Sequence, residues 1–172
     1  MRILFFLLIV PTLISTTPAQ QFINWKNYTA LKNVQDVAIS SDEFWSAASG
    51  GAFQYSSSTN EFTTLHKSEG LQGNSLTSVI VDNLGRTWFG SVEGKIDIYN
   101  ADSNQLDVIL DIYNSNQINK RINDFASVSD TIIVSTDFGV SLINANNFLF
   151  LDTYFKFGTL PSNSKVNGTL KA

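Results

Sequence analysis

The 172-residue sequence has no cysteine and a single histidine, His66. The first absence excludes a disulfide framework, a thiolate metal site, a cysteine nucleophile and a lipid-modified cysteine. The second removes a catalytic triad and a multi-histidine metal site from what the chain can build alone. His66 therefore reads as an exposed residue in a connection between repeats. Charge is scarce as well: charged residues make up 15% and the net charge is −4, with no cluster of Lys or Arg. Nucleic acid is not an expected partner, because phosphate recognition rests on clustered cations. No segment shows the 3.6-residue apolar period that ankyrin or tetratricopeptide arrays require. Carboxylates such as Asp107 and Asp111, or Glu61 and Glu69, have no spacing that sets them apart from solvated strand faces, so a glycosidase pair is not assigned. No catalytic residue, metal site or cofactor is expected.

What the chain does have is apolar and aromatic content, 43% and 12%, sufficient for a core in a domain of this length. With so few charges, its surface must be carried by Ser, Thr and Asn, as suits an exported β protein. The N-terminus agrees. Met1-Arg2 precedes an apolar run at 3–10, and Pro11 opens a Ser/Thr/Pro tract that ends in Thr17-Pro18-Ala19-Gln20. This is the layout of a signal peptide over 1–19, and the run is far shorter than the ~20 residues of a membrane span.

The remainder, 20–172, repeats itself. The best copy reads Gly70-Leu71, Asn74-Ser75-Leu76, then Asp82-Asn83-Leu84-Gly85-Arg86-Thr87-Trp88-Phe89-Gly90-Ser91, then Gly94 and Ile96-Asp97-Ile98-Tyr99. An earlier copy places Leu31-Lys32-Asn33-Val34 where Leu71-Gln72-Gly73-Asn74 stands, and runs through Trp45, Ala47-Ala48 and Gly51. Trp45 to Trp88 and Gly51 to Gly94 are both 43 residues apart, and Gly94 to Gly139 is 45. Each copy has a fourth, outer segment, at 61–65, 105–109 and 148–152. Four strands per period of about 44 residues predict an all-β fold, a β-propeller with three four-stranded antiparallel blades near 31–65, 71–109 and 119–152. Residues 158–172 open a truncated fourth blade, with Leu160 lying 89 residues beyond Leu71. The ring is incomplete, and the sequence reads as the N-terminal part of a longer protein.

The repeated residues have structural roles. Trp45, Trp88 and Ile133 are expected to fill the gaps between blades, and the small pairs Ala47-Ala48, Gly90-Ser91 and Ser135-Thr136 to fit where blades approach closely. Asn60, Asn104 and the pair Asn146-Asn147 are expected to take the left-handed turn positions before the outer strands. Asp82-Asn83-Leu84-Gly85 reads as a hairpin turn with Gly85 at positive φ; as a calcium loop it offers too few side-chain oxygens. Asn27-Tyr28-Thr29 and Asn167-Gly168-Thr169 match the glycosylation triplet but mean nothing in a bacterial chain.

The central copy, from Gly70-Leu71 through Trp88-Phe89-Gly90-Ser91, resembles the repeat of two-component-regulator propellers. Trp25-Lys26-Asn27-Tyr28, soon after the leader, and the run Val34-Gln35-Asp36-Val37-Ala38 resemble the opening of the PorZ-type propellers of the Bacteroidetes type IX secretion system. The resemblance covers about 21–167. It implies a non-enzymatic protein at the outer-membrane surface, partnered by a sortase and other attachment-complex proteins, with lipopolysaccharide or another glycan as its ligand. A periplasmic, glycan-sensing propeller of a hybrid sensor kinase is the alternative, and a propeller lyase or hydrolase is a third class. The binding residues are unassigned, although the loops at 67–74 and 92–94 are where a ligand near the axis would be sought. The two end faces of a three-blade arc are expected to be apolar and exposed.

Overall fold

The computed structural model describes residues 31–169. The leader and the Trp25-Lys26-Asn27-Tyr28 opening lie outside the described residues. Twelve strands form three four-stranded antiparallel meanders, each in simple sequence order. The first blade is β1 (Val34–Ser40), β2 (Glu43–Ala48), β3 (Gly51–Ser56) and β4 (Glu61–Leu65). The second is β5 (Leu76–Val81), β6 (Thr87–Ser91), β7 (Ile96–Asn100) and β8 (Gln105–Ile109). The third is β9 (Ile122–Val128), β10 (Thr131–Thr136), β11 (Gly139–Asn144) and β12 (Phe150–Tyr154), preceded by one helical turn, α1 (Asp111–Asn114). Together they form a three-bladed arc of a β-propeller, with β1, β5 and β9 as neighbouring inner strands.

Register shows the repetition at single-residue resolution. Each inner hairpin has one irregularity at the same place, between Val34 and Asp36, between Leu76 and Ser78, and between Ser135 and Thr136. The extra residue twists the inner strand locally. Equivalent bonds close each hairpin: Ser49 N–H to Asn33 O, Val92 N–H to Ser75 O, and Asp137 N–H to Arg121 O. Asn33 is thus the counterpart of Ser75, so Leu31-Lys32-Asn33-Val34 aligns with Gly73 to Leu76, two positions later than sequence similarity placed it.

Turn chemistry holds in two blades and changes in the third. Asn60 and Asn104 take φ of 59° and 52°, and Gly85 takes 75°. The two asparagines also accept hydrogen bonds from the phenols of Tyr55 and Tyr99, at 2.8 and 3.0 Å. In the third blade the tyrosine position is Ile143, and the left-handed residue is Phe148 (φ 62°) rather than Asn146 or Asn147. Asn144 accepts from the backbone N–H groups of Asn146 and Asn147, as Asn100 does from those of Asp102 and Ser103 one blade earlier. The outer strand starts at Phe150, two residues later than expected, and its pairing with β11 has an irregularity between Leu142 and Ile143.

Cores lie between blades. Trp45 projects from the first blade onto Phe89 and Tyr99 of the second, edge-on at 5.8 and 5.4 Å between ring centres. Trp88, fully buried, does the same at the next interface, edge-on to Phe148 at 5.6 Å among Ile122, Ile132 and Val134. Each such aromatic buries roughly 150–250 Å². Ile133, the third member of the series, is half-buried on the far side of the third blade. Gly90 is small of necessity: a Cβ there would sit 2.4 Å from Ile122 Cγ2 and 2.6 Å from Ser78 Oγ.

Near the axis, one blade's side chains satisfy the next blade's edge. Asp36 accepts the N–H of Val79 at 2.8 Å, and Asp124, its counterpart, accepts that of Thr169 at 2.6 Å. In the second blade the hydroxyl of Thr77 donates to Ile122 O at 2.5 Å. Val166 N–H also bonds Thr136 O, so residues 166–169 run beside the inner edge of the third blade. Burial raises the Asp36 carboxyl above its ordinary range against the lowering effect of its two backbone donors, and the neighbouring Asp124 adds to the rise.

The outward face of the first blade is apolar. Val37, Phe44, Phe53, Tyr55 and Phe62 line a shallow depression there, with Phe62 70% exposed. They occupy the sheet face that, one blade later, receives Trp45. Leu160 is 53% exposed where its counterpart Leu71 is 2% exposed, for the same reason: no neighbour covers it among the described residues.

Two outcomes are expected. Gly90→Ala forces the second and third blades apart and costs about 1–3 kcal/mol in chemical denaturation. Residues 20–172 produced alone associate through the Phe-rich face; Phe62→Lys lowers the weight-average mass in sedimentation velocity, whereas an exposed substitution on the opposite edge leaves it unchanged.

Candidate functional site

Topology gathers the connections between blades and the turns between each second and third strand on one edge of the arc. The loops at 67–74 and 92–94 both lie there. The first is closed. His66 N–H donates to Glu69 Oε2 at 2.8 Å, Glu69 N–H returns to His66 O, and Leu71 N–H bonds the same carbonyl. His66 is not exposed as expected but buried, with Nδ1 3.2 Å from Gly50 O, because the single 3-10 turn at Lys67–Glu69 folds its ring beneath the Gly50-Gly51 turn.

Asp97 completes the closure. Its Oδ1 accepts Gln72 N–H and its Oδ2 accepts Gly73 N–H, each at 2.8 Å, while Lys95 Nζ donates to Gln72 O. The side chain is buried, and desolvation raises its carboxyl above the usual range despite those two donors and the nearby Lys95. Leu71 is buried and both following amides are held, so this linker is tied to the second blade.

The turn at 92–94 is a support. Gly94 has φ of 85°, and a Cβ there would meet Ile112 Cγ2 at 2.7 Å and Lys120 Cβ at 2.9 Å. The second linker rests directly on it.

That second linker behaves differently. Ten residues separate β4 from β5, but twelve separate β8 from β9, and the extra length forms α1. At the position of Asp97 the third blade has Ser141, as the cross-strand partners Phe89 and Val134 establish. Ser141 pairs with the hydroxyl of Thr153 at 3.1 Å and holds no linker amide. Ile112 is buried much as Leu71 is, yet the chain after it arches away from the sheet. A cavity of about 250 Å³ remains between linker and blade. Phe138, Phe150 and Phe155 form its apolar wall, and Phe138 and Phe155 stack at 6.0 Å with a 30° tilt. Asp111, Gln117 and the Ser141–Thr153 pair supply the polar groups. No Lys or Arg lines it. Lys95 Nζ lies 4.8 Å from the ring of Tyr113, on the same linker, and Lys120 Nζ donates to the Tyr113 carbonyl.

The opposite edge carries a clasp. Asp82 accepts five hydrogen bonds: Leu84 N–H and Arg86 N–H on Oδ1, and Arg86 Nε, one Arg86 Nη and Trp88 Nε1 on Oδ2. Arg86 also donates to Ala145 O at 2.7 Å and lies 5.1 Å from the Phe148 ring. Both carboxylate oxygens are thus committed to holding the second blade to the third, and the segment is the hairpin turn its sequence describes. Among the described residues no three His, Cys, Asp or Glu side chains gather as a metal site, and no helix is long and apolar enough to cross a membrane.

The cavity therefore lies one repeat beyond the loop at 67–74. The sequence does contain its signal, in the two extra linker residues and in Ser141 where the period demands Asp97. Single differences of that kind are visible only once register is fixed.

A family model described as the N-terminal β-propeller domain of PorZ of the type IX secretion system matches residues 44–171. Among solved structures, PorZ of Porphyromonas gingivalis, an essential surface component of that system, aligns with a TM-score of 0.68 at 18% identity, over 74% of this chain and 17% of that one. The extracellular domain of a hybrid two-component system of B. thetaiotaomicron aligns with a TM-score of 0.60 at 18% identity, over 69% of this chain and 16% of that one. The computationally designed protein Ika4 aligns at 0.61 and 13% identity, over 86% and 83%. These identities establish the shared fold. The chain spans about a sixth of the length of the natural proteins it matches. The search of curated proteins finds no match.

Asp97→Asn keeps one acceptor and turns an amide toward the N–H of Gln72 or Gly73, so it is expected to cost about 1–3 kcal/mol. The folded chain binds the Asp97 proton more tightly than the unfolded chain does, so this group's contribution falls as pH rises through and above the ordinary carboxylate range. The gap between wild type and variant is therefore widest at acid pH and narrows upward, which urea titrations between about pH 3 and 7 will read.

Proposed function

Because the chain belongs to the family of PorZ N-terminal β-propeller domains, we propose that it is the opening part of a non-enzymatic, surface-exposed propeller of the type IX secretion machinery. In this reading it is exported by its leader to the outer-membrane surface. It works there beside a sortase and other attachment-complex proteins, and it assists the sorting of cargo and its anchoring to anionic lipopolysaccharide. The observation that carries the reading is the family match over 44–171, most of the three blades.

The likeness to the extracellular domain of a hybrid two-component system favours one second reading, a sensor propeller that binds a glycan in the periplasm. The same experiment separates the two. Deletion of the full-length gene is expected to leave cargo with its sorting signal uncleaved and unattached to the surface. Normal cargo processing, with transcription altered instead, would overturn the secretion reading in favour of the sensor.

A further inference from the structure

We propose that the cavity between the second linker and the third blade binds a single neutral sugar ring. Its size sets the first limit. At about 250 Å³ it falls just below the range of drug-sized pockets, so it takes one small ring and excludes an extended chain. The lining sets the class. Phe138, Phe150 and Phe155 offer apolar surface suited to the C–H face of a pyranose. Facing them are the carboxylate of the exposed Asp111 and the side-chain amide of the half-buried Gln117, neither bonded to a described side chain. The Ser141 and Thr153 hydroxyls bond only each other, which leaves both oxygens further capacity. A carboxylate, an amide and two hydroxyls beside aromatic rings match a ligand that presents several hydroxyls around an apolar face. A phosphate or carboxylate ligand is disfavoured by Asp111 and by the lack of any cation in the wall.

Comparison within the molecule argues that the cavity is a departure from the repeat and not a packing gap common to it. At the preceding interface Asp97 holds the amides of Gln72 and Gly73 against the second blade. At this one the acid is replaced by Ser141, which bonds Thr153 and no linker amide, and the linker is longer by two residues. The lining residues come from the second linker, the third blade and the residue that follows it.

The inference deepens the glycan-binding part of the proposed function and rests on it, but the two fail separately. Methyl glycosides of glucose, galactose, mannose, rhamnose and N-acetylglucosamine are titrated into the full-length protein by ligand-observed NMR, with inorganic phosphate as a further probe. A ring of about twelve heavy atoms is expected to bind with a Kd on the order of 1 mM. Gln117→Ala and Thr153→Val, each folded as judged by an unchanged melting temperature, are expected to weaken binding about three- to tenfold. Lys67→Ala, on the neighbouring linker, leaves it unchanged. Binding that persists undiminished in Gln117→Ala and Thr153→Val overturns the cavity as the site and leaves a glycan-binding protein. Saturable binding of phosphate in preference to every glycoside overturns the neutral-ring assignment. Absence of binding by every probe removes the inference, while the secretion reading still stands or falls on cargo processing.

Discussion

A four-stranded antiparallel sheet with apolar side chains on both faces cannot be stable by itself, because one hairpin meander covers neither face. Everything else in this chain follows from that constraint. Each blade presents a large side chain forward, Trp45 or Trp88, and a receptive apolar face backward, such as Phe89 and Tyr99. The small residues two positions later, Ala47 and Gly90, let the sheets converge toward the axis. The hydrophobic contribution thus lies between repeats and not within them, the energetic pattern of quasi-one-dimensional repeat proteins. It also explains why the faces with no neighbour are the ones that expose Phe44, Phe62 and Leu160.

Polar groups then decide how the blades are fastened. One edge is held by the Asp82–Arg86–Trp88 clasp, which reaches across to Ala145, and the axis by Asp36, Thr77 and Asp124. None of these groups is in excess, since each satisfies a backbone N–H or C=O that burial would otherwise leave unpaired. What varies is the linker edge, where packing between blades demands least. The first linker is tied down by Asp97, and the second is not. Function in a repeat fold is most available where one copy departs from the pattern that its neighbours keep.

The sequence displayed the packing and concealed the linkers. Trp45, Trp88 and the glycines recur at 43 to 45 residues, and that period alone places most of the strands, with Asn60 and Asn104 marking their turns. Such residues are legible because each is determined by its own position in the repeat. The third blade broke the pattern where Ile143 replaces the tyrosine: the left-handed position, five residues further on as in the other two blades, is held by Phe148, which no propensity would select. His66 and the cavity were hidden for a different reason. Burial of His66 depends on Gly50, sixteen residues away, and the closed linker depends on Asp97 reaching Gln72 across twenty-five. Contacts of that range leave no local trace, so the loop at 67–74 looked open and the space one repeat further on did not appear at all.

The inner-strand bonds carry a consequence for how such a protein changes over generations. Asp36 holds Val79, and Asp124 holds Thr169, through main-chain amides that any residue but proline provides. The seat offered to the following repeat is therefore indifferent to that repeat's side chains and strict only about spacing. Gain or loss of a whole unit of about 44 residues keeps every seat filled, whereas an insertion of one residue inside an inner strand misplaces the amide and turns the apolar set to the wrong side. Propellers built on this fastening can alter their blade number by duplication more readily than they can alter the length of a single strand.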